Sequence, residues 1–375
     1  MNLRTRKILI LAGEESGDLH GSYLVEALLK LSLPLQIFAM GGEKMKSAGA
    51  KLLENTLESS VVGITEVIRK IPGLVERKQR IEDFVSREQP DLVIFIDFPG
   101  FHLKIMPSIS DKTSLVYYIP PKVWVWKQNR AQKILQFCKR VYTIFPFENS
   151  YFNGKASYFG HPLVDFVKST CSASEFKKEF GLCEDLATIA LVPGSRKQEI
   201  VKMLPRFCES ARLVSSSHKV QWLLPLADSI DDSDFPAGMF DDLNIRIIRG
   251  RTYDVIKHCD FILATSGTVT LEAALLGTPM IICNRASWIT YMAFKMLSRV
   301  PYLGLPNIIS KREICPEMLQ SDTQPHRLAD LIRNYLLQPN KLGDQKKALN
   351  EVVQTLGEPG VLKRVSNHMA EEFLQ

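Results

Sequence analysis

Residues 91–102 run Asp91-Leu92-Val93-Ile94-Phe95-Ile96-Asp97-Phe98-Pro99-Gly100-Phe101-His102. Leu92 to Ile96 form an unbroken apolar run. Such a run, without polar alternation, fits a strand covered on both faces, as in a parallel sheet. It ends in a carboxylate, Asp97, and breaks at Pro99-Gly100. Ligands of open parallel sheets bind at the carboxyl ends of the strands. A carboxylate at that lip escapes the cost of full burial and can serve as a general base.

On both sides of this run the pattern alternates. Strands are expected at 7–12, 35–40, 92–96, 114–119, 140–144 and 156–159, with helices at 17–31, 73–88 and 127–137. The rhythm restarts with strands at 188–192, 220–225, 245–248, 261–264 and 280–283, and helices at 198–217, 252–258 and 269–276. Between the halves, 167–185 is a polar, mainly helical connector. After 287 no clear strand is expected: an amphipathic helix at 288–297, a loop at 301–310, then three helical patterns. Strands alternating with helices imply parallel sheets covered on both faces. The expected class is α/β, with two Rossmann-like doubly wound domains facing across a cleft and a helical C-terminal tail. The expected domains are 1–166 and 167–354, with helices in 355–375 as a candidate completion of the first.

Bulk properties narrow the class. A chain of 375 residues, 45% hydrophobic and 23% charged, is long enough for two cores and excludes a disordered or fibrous protein. The net charge of +6 favours anionic partners such as phosphates or an anionic membrane surface. It is too diffuse for nucleic acid, and no Lys/Arg block occurs. Seven cysteines, at 138, 171, 183, 208, 259, 283 and 315, form no C-x-x-C pair, which suits a reducing cytoplasm. The apolar run near the N-terminus is short and leads into acidic residues, so it reads as a first strand rather than a signal peptide. No segment reaches the ~18 apolar residues of a membrane span.

Three turns suit anions. The first strand leads into Gly13-Glu14-Glu15-Ser16-Gly17-Asp18 and a helix, whose free N–H groups could meet a phosphate. Ser16 or Asp18 as a simple helix cap reads the same residues. Leu191-Val192-Pro193-Gly194-Ser195-Arg196 offers a tight turn, a hydroxyl and a guanidinium to a diphosphate, or merely an exposed Arg beside a turn. Ser266-Gly267-Thr268 opens a helix carrying Glu272, which could accept the hydroxyls of a ribose or act only as a first-turn acid. Neither G-x-G-x-x-G nor G-x-x-x-x-G-K-[ST] is present, and no H-E-x-x-H or Cys/His cluster suggests a metal.

Two further stretches combine apolar and basic residues. Tyr117-Tyr118-Ile119-Pro120-Pro121-Lys122-Val123-Trp124-Val125-Trp126-Lys127-Gln128-Asn129-Arg130 follows a strand end and suits a phosphorylated, partly apolar ligand, or else core aromatics beside a helix start. Residues 61–75, VVGITEVIRKIPGLV, read as a basic, apolar surface helix of a membrane interface, or as a helix packed on its own domain. His161, in Phe159-Gly160-His161-Pro162, is either a ligand contact or a structural hydrogen-bonding residue.

Taken in order, AGEESGD at 12–18, Gly41-Gly42, IDFPGF at 96–101, YYIPPKVWVWK at 117–127, FPFE at 145–148, FGHPLVD at 159–165, LVPGSR at 191–196, SGTVTLEAALLGTPM at 266–280 and LPN at 305–307 resemble the lipid-A-disaccharide synthases. The resemblance covers about 7 to 310. It implies a GT-B glycosyltransferase that joins UDP-2,3-diacylglucosamine to 2,3-diacylglucosamine 1-phosphate, releasing UDP. It implies an inverting reaction without metal or other cofactor, at the cytoplasmic face of the inner membrane, with a homodimer as a further expectation. The first domain would face the acceptor and the membrane, and the second would bind the UDP-sugar. Asp97 would be the base. Gly13, Glu14, Ser16, Gly17, Asp18, Gly194, Ser195, Arg196, Ser266, Gly267, Thr268, Glu272 and Asn307 would bind the nucleotide sugar. The family often has Asp at the position of Gly100, Asn at His102 and Ser at Pro120; these departures leave Asp97 in place. Other readings are a UDP-GlcNAc epimerase, a peptidoglycan-type GlcNAc transferase, or a non-catalytic nucleotide-sugar binding protein. A nicotinamide dehydrogenase would need the missing G-x-G-x-x-G.

Overall fold

The computed structural model describes residues 4–56, 71–125, 128–194, 196–227, 230–231, 235–236, 238–298 and 300–375. The expected surface helix at 61–75 lies outside them except for its last residues, as do Trp126, Lys127 and Ser195. The chain forms two compact units: residues up to Asp165 together with Leu356–Gln375, and Phe166–Thr355.

The first unit is built on a seven-stranded parallel sheet, ordered β3-β2-β1-β4-β5-β6-β7. The strands are β1 (Arg6–Ala12), β2 (Leu35–Gly41), β3 (Lys51–Asn55), β4 (Leu92–Ile96), β5 (Ser114–Tyr118), β6 (Arg140–Thr143) and β7 (Ala156–Tyr158). Every residue of β4 is buried, as its unbroken apolar run requires. Strand β3 was not expected. Its sequence, KLLEN, carries charges because it is an edge strand with little to bury. Helix Pro99–Ile109 was also not expected. Pro99-Gly100 reads as a break, yet proline is well placed in the first turn of a helix, where its missing N–H costs nothing.

The second unit carries a six-stranded parallel sheet, ordered β10-β9-β8-β11-β12-β13. Its strands are β8 (Ala187–Val192), β9 (Val220–Leu226), β10 (Ile245–Arg249), β11 (Phe261–Thr265), β12 (Met280–Asn284) and β13 (Glu317–Leu319). Strand β13 overturns the expectation of none after residue 287. It spans three residues and is half-buried, so it carries no periodicity to read. The loop expected at 301–310 instead contains the helix Leu305–Ser310.

In both sheets the strand order reverses once, between β1 and β4 and between β8 and β11. At such a switch point neighbouring loops leave in opposite directions and open a crevice at the strands' carboxyl ends. Three of the four segments there are the Gly13–Asp18 turn after β1, Asp97 after β4, and the Gly194–Arg196 turn after β8. Ser266–Thr268 after β11 is the fourth.

The last helix, Val361–Phe373, returns to the first unit and packs on the helix Glu15–Leu29. Its entry is narrow. Gly160 and Gly357 approach so closely that a Cβ on Gly357 would lie 2.9 Å from the Gly160 Cα. The His161 amide donates to the Leu356 carbonyl at 2.7 Å, and His161 Nδ1 accepts from the Leu163 amide, so this ring is tied to backbone. Asp165 caps the helix. One carboxylate oxygen accepts from the amides of Gly360 (2.6 Å) and Val361 (3.2 Å), the other from Leu362 (3.0 Å). Asp165→Ala strands three donors at a helix N-terminus. It should lower unfolding stability by about 1–2 kcal/mol in urea titration, and Asp165→Asn by less.

Candidate active site

The pairing of β1 with β4 places Ala12 beside Ile96, so the next residues, Gly13 and Asp97, leave side by side. Their loops touch. A Cβ on Gly13 would lie 2.3 Å from the Phe98 ring, inside any tolerable contact. Gly17 fits the helix start against Ala12, where a Cβ would stand 3.1 Å from the Ala12 Cβ. Glu14 and Ser16 are exposed at this edge, whereas Gly13 and Gly17 are buried.

Asp18 is placed differently. It is 1% exposed, and its carboxylate accepts from the amides of Gly42 (2.7 Å), Lys44 (3.2 Å) and Met45 (3.2 Å). It holds the turn after β2 and starts the helix Glu43–Ser47. That is the capping alternative, applied to a neighbouring helix rather than its own.

Asp97 is half-buried, and its backbone is left-handed, with φ of 44°. Phe98 (48°) and Ile119 (58°) share that conformation at the ends of β4 and β5. Each such non-glycine residue costs about 1–3 kcal/mol unless its surroundings fix it, and such strain clusters at functional sites. The Asp97 amide donates to the Ile119 carbonyl at 3.3 Å. The Asp97 carbonyl accepts from His102 Nδ1 at 2.7 Å and from the Tyr117 hydroxyl at 2.5 Å. Burial raises the Asp97 pKa above the ordinary aspartate value. The Phe98 amide and the cations Lys122 and Arg130 work against that rise. The basic stretch after β5 therefore presents positive charge to Asp97. Its described aromatics are core: Tyr117 and Tyr118 are buried, and Trp124 is 3% exposed and donates Nε1–H to the buried Glu148 at 2.9 Å.

In the second unit the turns after β8 and β11 are joined. Thr265 Oγ1 donates to the Pro193 carbonyl at 2.9 Å. Gly194 has φ of 110°, and a Cβ there would meet Glu199 Oε2 at 2.4 Å. Arg196 precedes the helix Lys197–Ser215; its side chain is 74% exposed, 3.6 Å from Glu199. Gly267 and Thr268 are exposed at the start of the helix Val269–Leu276. Glu272 is half-buried; burial raises its pKa while a hydrogen bond from the Tyr253 hydroxyl (3.3 Å) opposes the rise.

Asn307 is a brace. It is 0% exposed, its Nδ2 donates to the Cys315 carbonyl and Glu317 Oε1, and its Oδ1 accepts from the amides of Ile314 and Cys315. Glu317 also accepts from the amides of Leu303 and Gly304, while Ser266 Oγ donates to the Leu303 carbonyl at 3.2 Å. Asn307 thus supports the segment on which the Ser266 turn leans.

One donor cluster escaped sequence reading. Cys171, Asp254 and His258 hold ligand-type atoms within 4.8 Å of one another. Asp254 is already satisfied, by Ser169 Oγ (2.6 Å), the Thr170 amide (2.6 Å), Thr170 Oγ1 (2.7 Å) and Arg251 Nε (2.5 Å). Although burial opposes it, these bonds hold the Asp254 carboxyl well below the usual range. Arg251 supplies the cation, and the cluster ties residues 169–171 to the helix Thr252–His258.

No described helix is long and apolar enough to cross a membrane. A family model described as Lipid-A-disaccharide synthetase matches residues 8–372. The lipid-A-disaccharide synthase of Syntrophus aciditrophicus is 37% identical over 371 residues, covering 97% of each chain. That of Geobacter metallireducens is 36% identical, covering 98% of this chain and 97% of its own. Among solved structures, a putative UDP-N-acetylglucosamine 2-epimerase from Listeria monocytogenes superposes with a TM-score of 0.66 at 12% identity, over 99% of this chain and 97% of that one. Acinetobacter baumannii MurG gives 0.64 at 12%, over 98% and 99%. At such identity these two speak only for the fold, which is GT-B. The sequence matches reach further, running through both switch points and into the returning helix, and they make this chain a member of the lipid-A-disaccharide synthase family.

Proposed function

We propose that the chain transfers 2,3-diacylglucosamine from its UDP conjugate to the 6-hydroxyl of 2,3-diacylglucosamine 1-phosphate, at the cytoplasmic face of the inner membrane. The product is the β-1,6-linked disaccharide 1-phosphate, and UDP leaves. The observation that carries the residue assignment is Asp97: a half-buried carboxylate at a switch point, its pKa raised, with Lys122 and Arg130 acting on it. Asp97 takes the proton of the acceptor hydroxyl as that oxygen attacks C1. The bond from C1 to the diphosphate breaks on the opposite face, and UDP departs with the electron pair. Lys122 and Arg130 suit the acceptor's phosphate, since neither forms an ion pair among the described residues.

The donor binds at the other switch point. Charge developing on the diphosphate meets Arg196, the Gly194 turn with Ser195, and the helix start at Ser266, Gly267 and Thr268. Glu272 accepts the ribose hydroxyls. Gly13, Glu14, Ser16 and Gly17 are further candidates for contacting the nucleotide sugar. Asn307 braces the segment on which the Ser266 turn leans, and Asp18 holds the neighbouring turn after β2.

Incubation with both acylated sugars should release UDP and form the disaccharide 1-phosphate, read by mass spectrometry. Consumption of UDP-N-acetylglucosamine without an acylated acceptor would overturn the assignment. Asp97→Asn keeps the shape, and Asn tolerates the left-handed backbone, so turnover should fall ~10²–10⁴-fold with unfolding unchanged. A base must be ionised. In the wild type kcat/KM should fall as pH drops through an Asp97 pKa that lies above the ordinary aspartate value. Lys122→Ala removes a cation that favours the carboxylate, so this acid limb should move to higher pH.

Arg196→Ala breaks only an exposed ion pair and should leave stability within about 1 kcal/mol. Calorimetric titration with UDP should show affinity lower by roughly tenfold or more, the usual cost of losing a charged hydrogen bond. Unchanged affinity would remove Arg196 from the diphosphate site.

A further inference from the structure

We propose that His102 and Tyr117 are positioning residues for Asp97, clamping its carbonyl oxygen so that the following peptide plane aims its carboxylate. The proposal rests on Asp97 acting as the base.

The geometry is that of a closed clamp. A carbonyl oxygen has two lone pairs, and here both are used. His102 Nδ1 lies 2.7 Å from the oxygen and the Tyr117 hydroxyl 2.5 Å. The two donors stand 3.5 Å apart, each directing its proton at the carbonyl rather than at the other. His102 therefore carries its proton on Nδ1. Both side chains are almost completely buried, at 1% and 0% exposure, so neither bond competes with water. The His102 ring is wedged among Phe95, Phe98, Phe101 and Tyr117, which fixes its direction. Burial also holds it neutral, with a pKa down at about 3.

Local structure explains how these residues reach the same atom. His102 sits in the first turn of Pro99–Ile109, and helical side chains lean toward the helix N-terminus, here toward Asp97. Tyr117 is on β5, opposite Phe95 of β4, so it arrives from the neighbouring strand. One donor comes from the helix and one from the sheet, and the carbonyl between them cannot turn without losing one.

The consequence runs through a single peptide unit. The bond from Asp97 to Phe98 is planar and trans, so its N–H points opposite to its C=O. Fixing the oxygen fixes the direction of the Phe98 N–H. That N–H lies next to the Asp97 side chain in the chain and favours its charged form. The clamp thus reaches the carboxylate through a rigid plane and holds two consecutive left-handed residues in place. Among the described residues, the titratable groups acting on or bonded to Asp97 are Lys122, Arg130, Tyr117 and His102. Of these, only His102 and Tyr117 donate to its backbone carbonyl.

The test uses the full-length protein with both acylated substrates, comparing His102→Ala, His102→Asn, Tyr117→Phe and Asp97→Asn. Loosening the clamp lets the peptide rotate and removes the Phe98 N–H from the carboxylate. His102→Ala should lower kcat about tenfold to a hundredfold, in line with a misplaced reacting group, with KM for both substrates within about twofold. Its acid limb of kcat/KM should move to higher pH, because the carboxylate has lost a donor. His102→Asn should restore most of kcat, since its amide can donate to the same oxygen. Tyr117→Phe, which removes one atom, should show the same two effects more weakly, and it decides the matter with His102→Asn if His102→Ala does not fold. Wild-type kcat and acid limb in Tyr117→Phe and the His102 variants, beside an inactive Asp97→Asn, would overturn the clamp while leaving the base. Wild-type turnover in Asp97→Asn would overturn the base itself.

Discussion

The close approach of Gly13 and Phe98 constrains the carboxyl end of the first unit's sheet. Parallel pairing of β1 with β4 delivers both loops at the same level, and the Phe98 ring occupies the space a side chain at 13 would need. With that ring seated, Phe98 is held left-handed, and Asp97 before it is held the same way. The helix Pro99–Ile109 then begins at once, with Phe98 as its N-cap. A switch point by itself is only a crevice. The missing Cβ turns this one into a crevice with a carboxylate fixed at its lip.

The second unit reaches a comparable result without aromatic packing. The turns after β8 and β11 are joined through Thr265 and Pro193, and the Ser266 turn leans on residue 303. That residue is held by the half-buried Glu317, which the buried Asn307 braces in turn. The groups proposed to meet a diphosphate, Arg196 and the amides near the exposed Gly267, therefore stand on braced turns. A preorganised site spends no reorganisation when charge develops, which is the main source of electrostatic stabilisation in enzymes. Asp18 makes the same point in the first unit. It is the most buried acid of its turn, and its three amide partners fix the neighbouring loop.

The strands with unbroken apolar runs were legible because a parallel sheet buries both faces: β4 matches its expected bounds, and β5, β8 and β11 differ only at an end. Strands β3 and β13 were not legible, being short and half-buried at sheet edges. The helix after Asp97 was hidden by Pro99-Gly100, whose turn chemistry serves equally to start a helix. Local spacing singled out Asp97 and the glycine turns as candidates, and each lies where a strand meets a helix. It did not identify Tyr117 or His102 as partners of one carbonyl. A Tyr in an apolar strand reads as core, and nothing in the pattern records where its hydroxyl goes. Asp254 with Ser169 and Thr170 was equally hidden, because these residues are far apart in sequence.

As the proposed base, Asp97 also illustrates why a base at this lip needs opposing influences. Burial alone would strengthen the base but favour its protonated, idle form. Cations and a donated amide alone would keep it ionised but weaken it. General-base efficiency depends on the product of the ionised fraction and the basicity, so it is greatest when the pKa approaches the working pH. Burial here raises the pKa, while Phe98, Lys122 and Arg130 restrain the rise. The amide is a fixed part of the fold, whereas a bound phosphate would partly neutralise the two cations. An acceptor carrying a phosphate would thereby raise the basicity of the group that deprotonates it, at the moment when its hydroxyl stands beside Asp97. A free enzyme would keep the carboxylate ionised and less basic. The same two cations would then serve both to bind the acceptor and to adjust the base that acts on it.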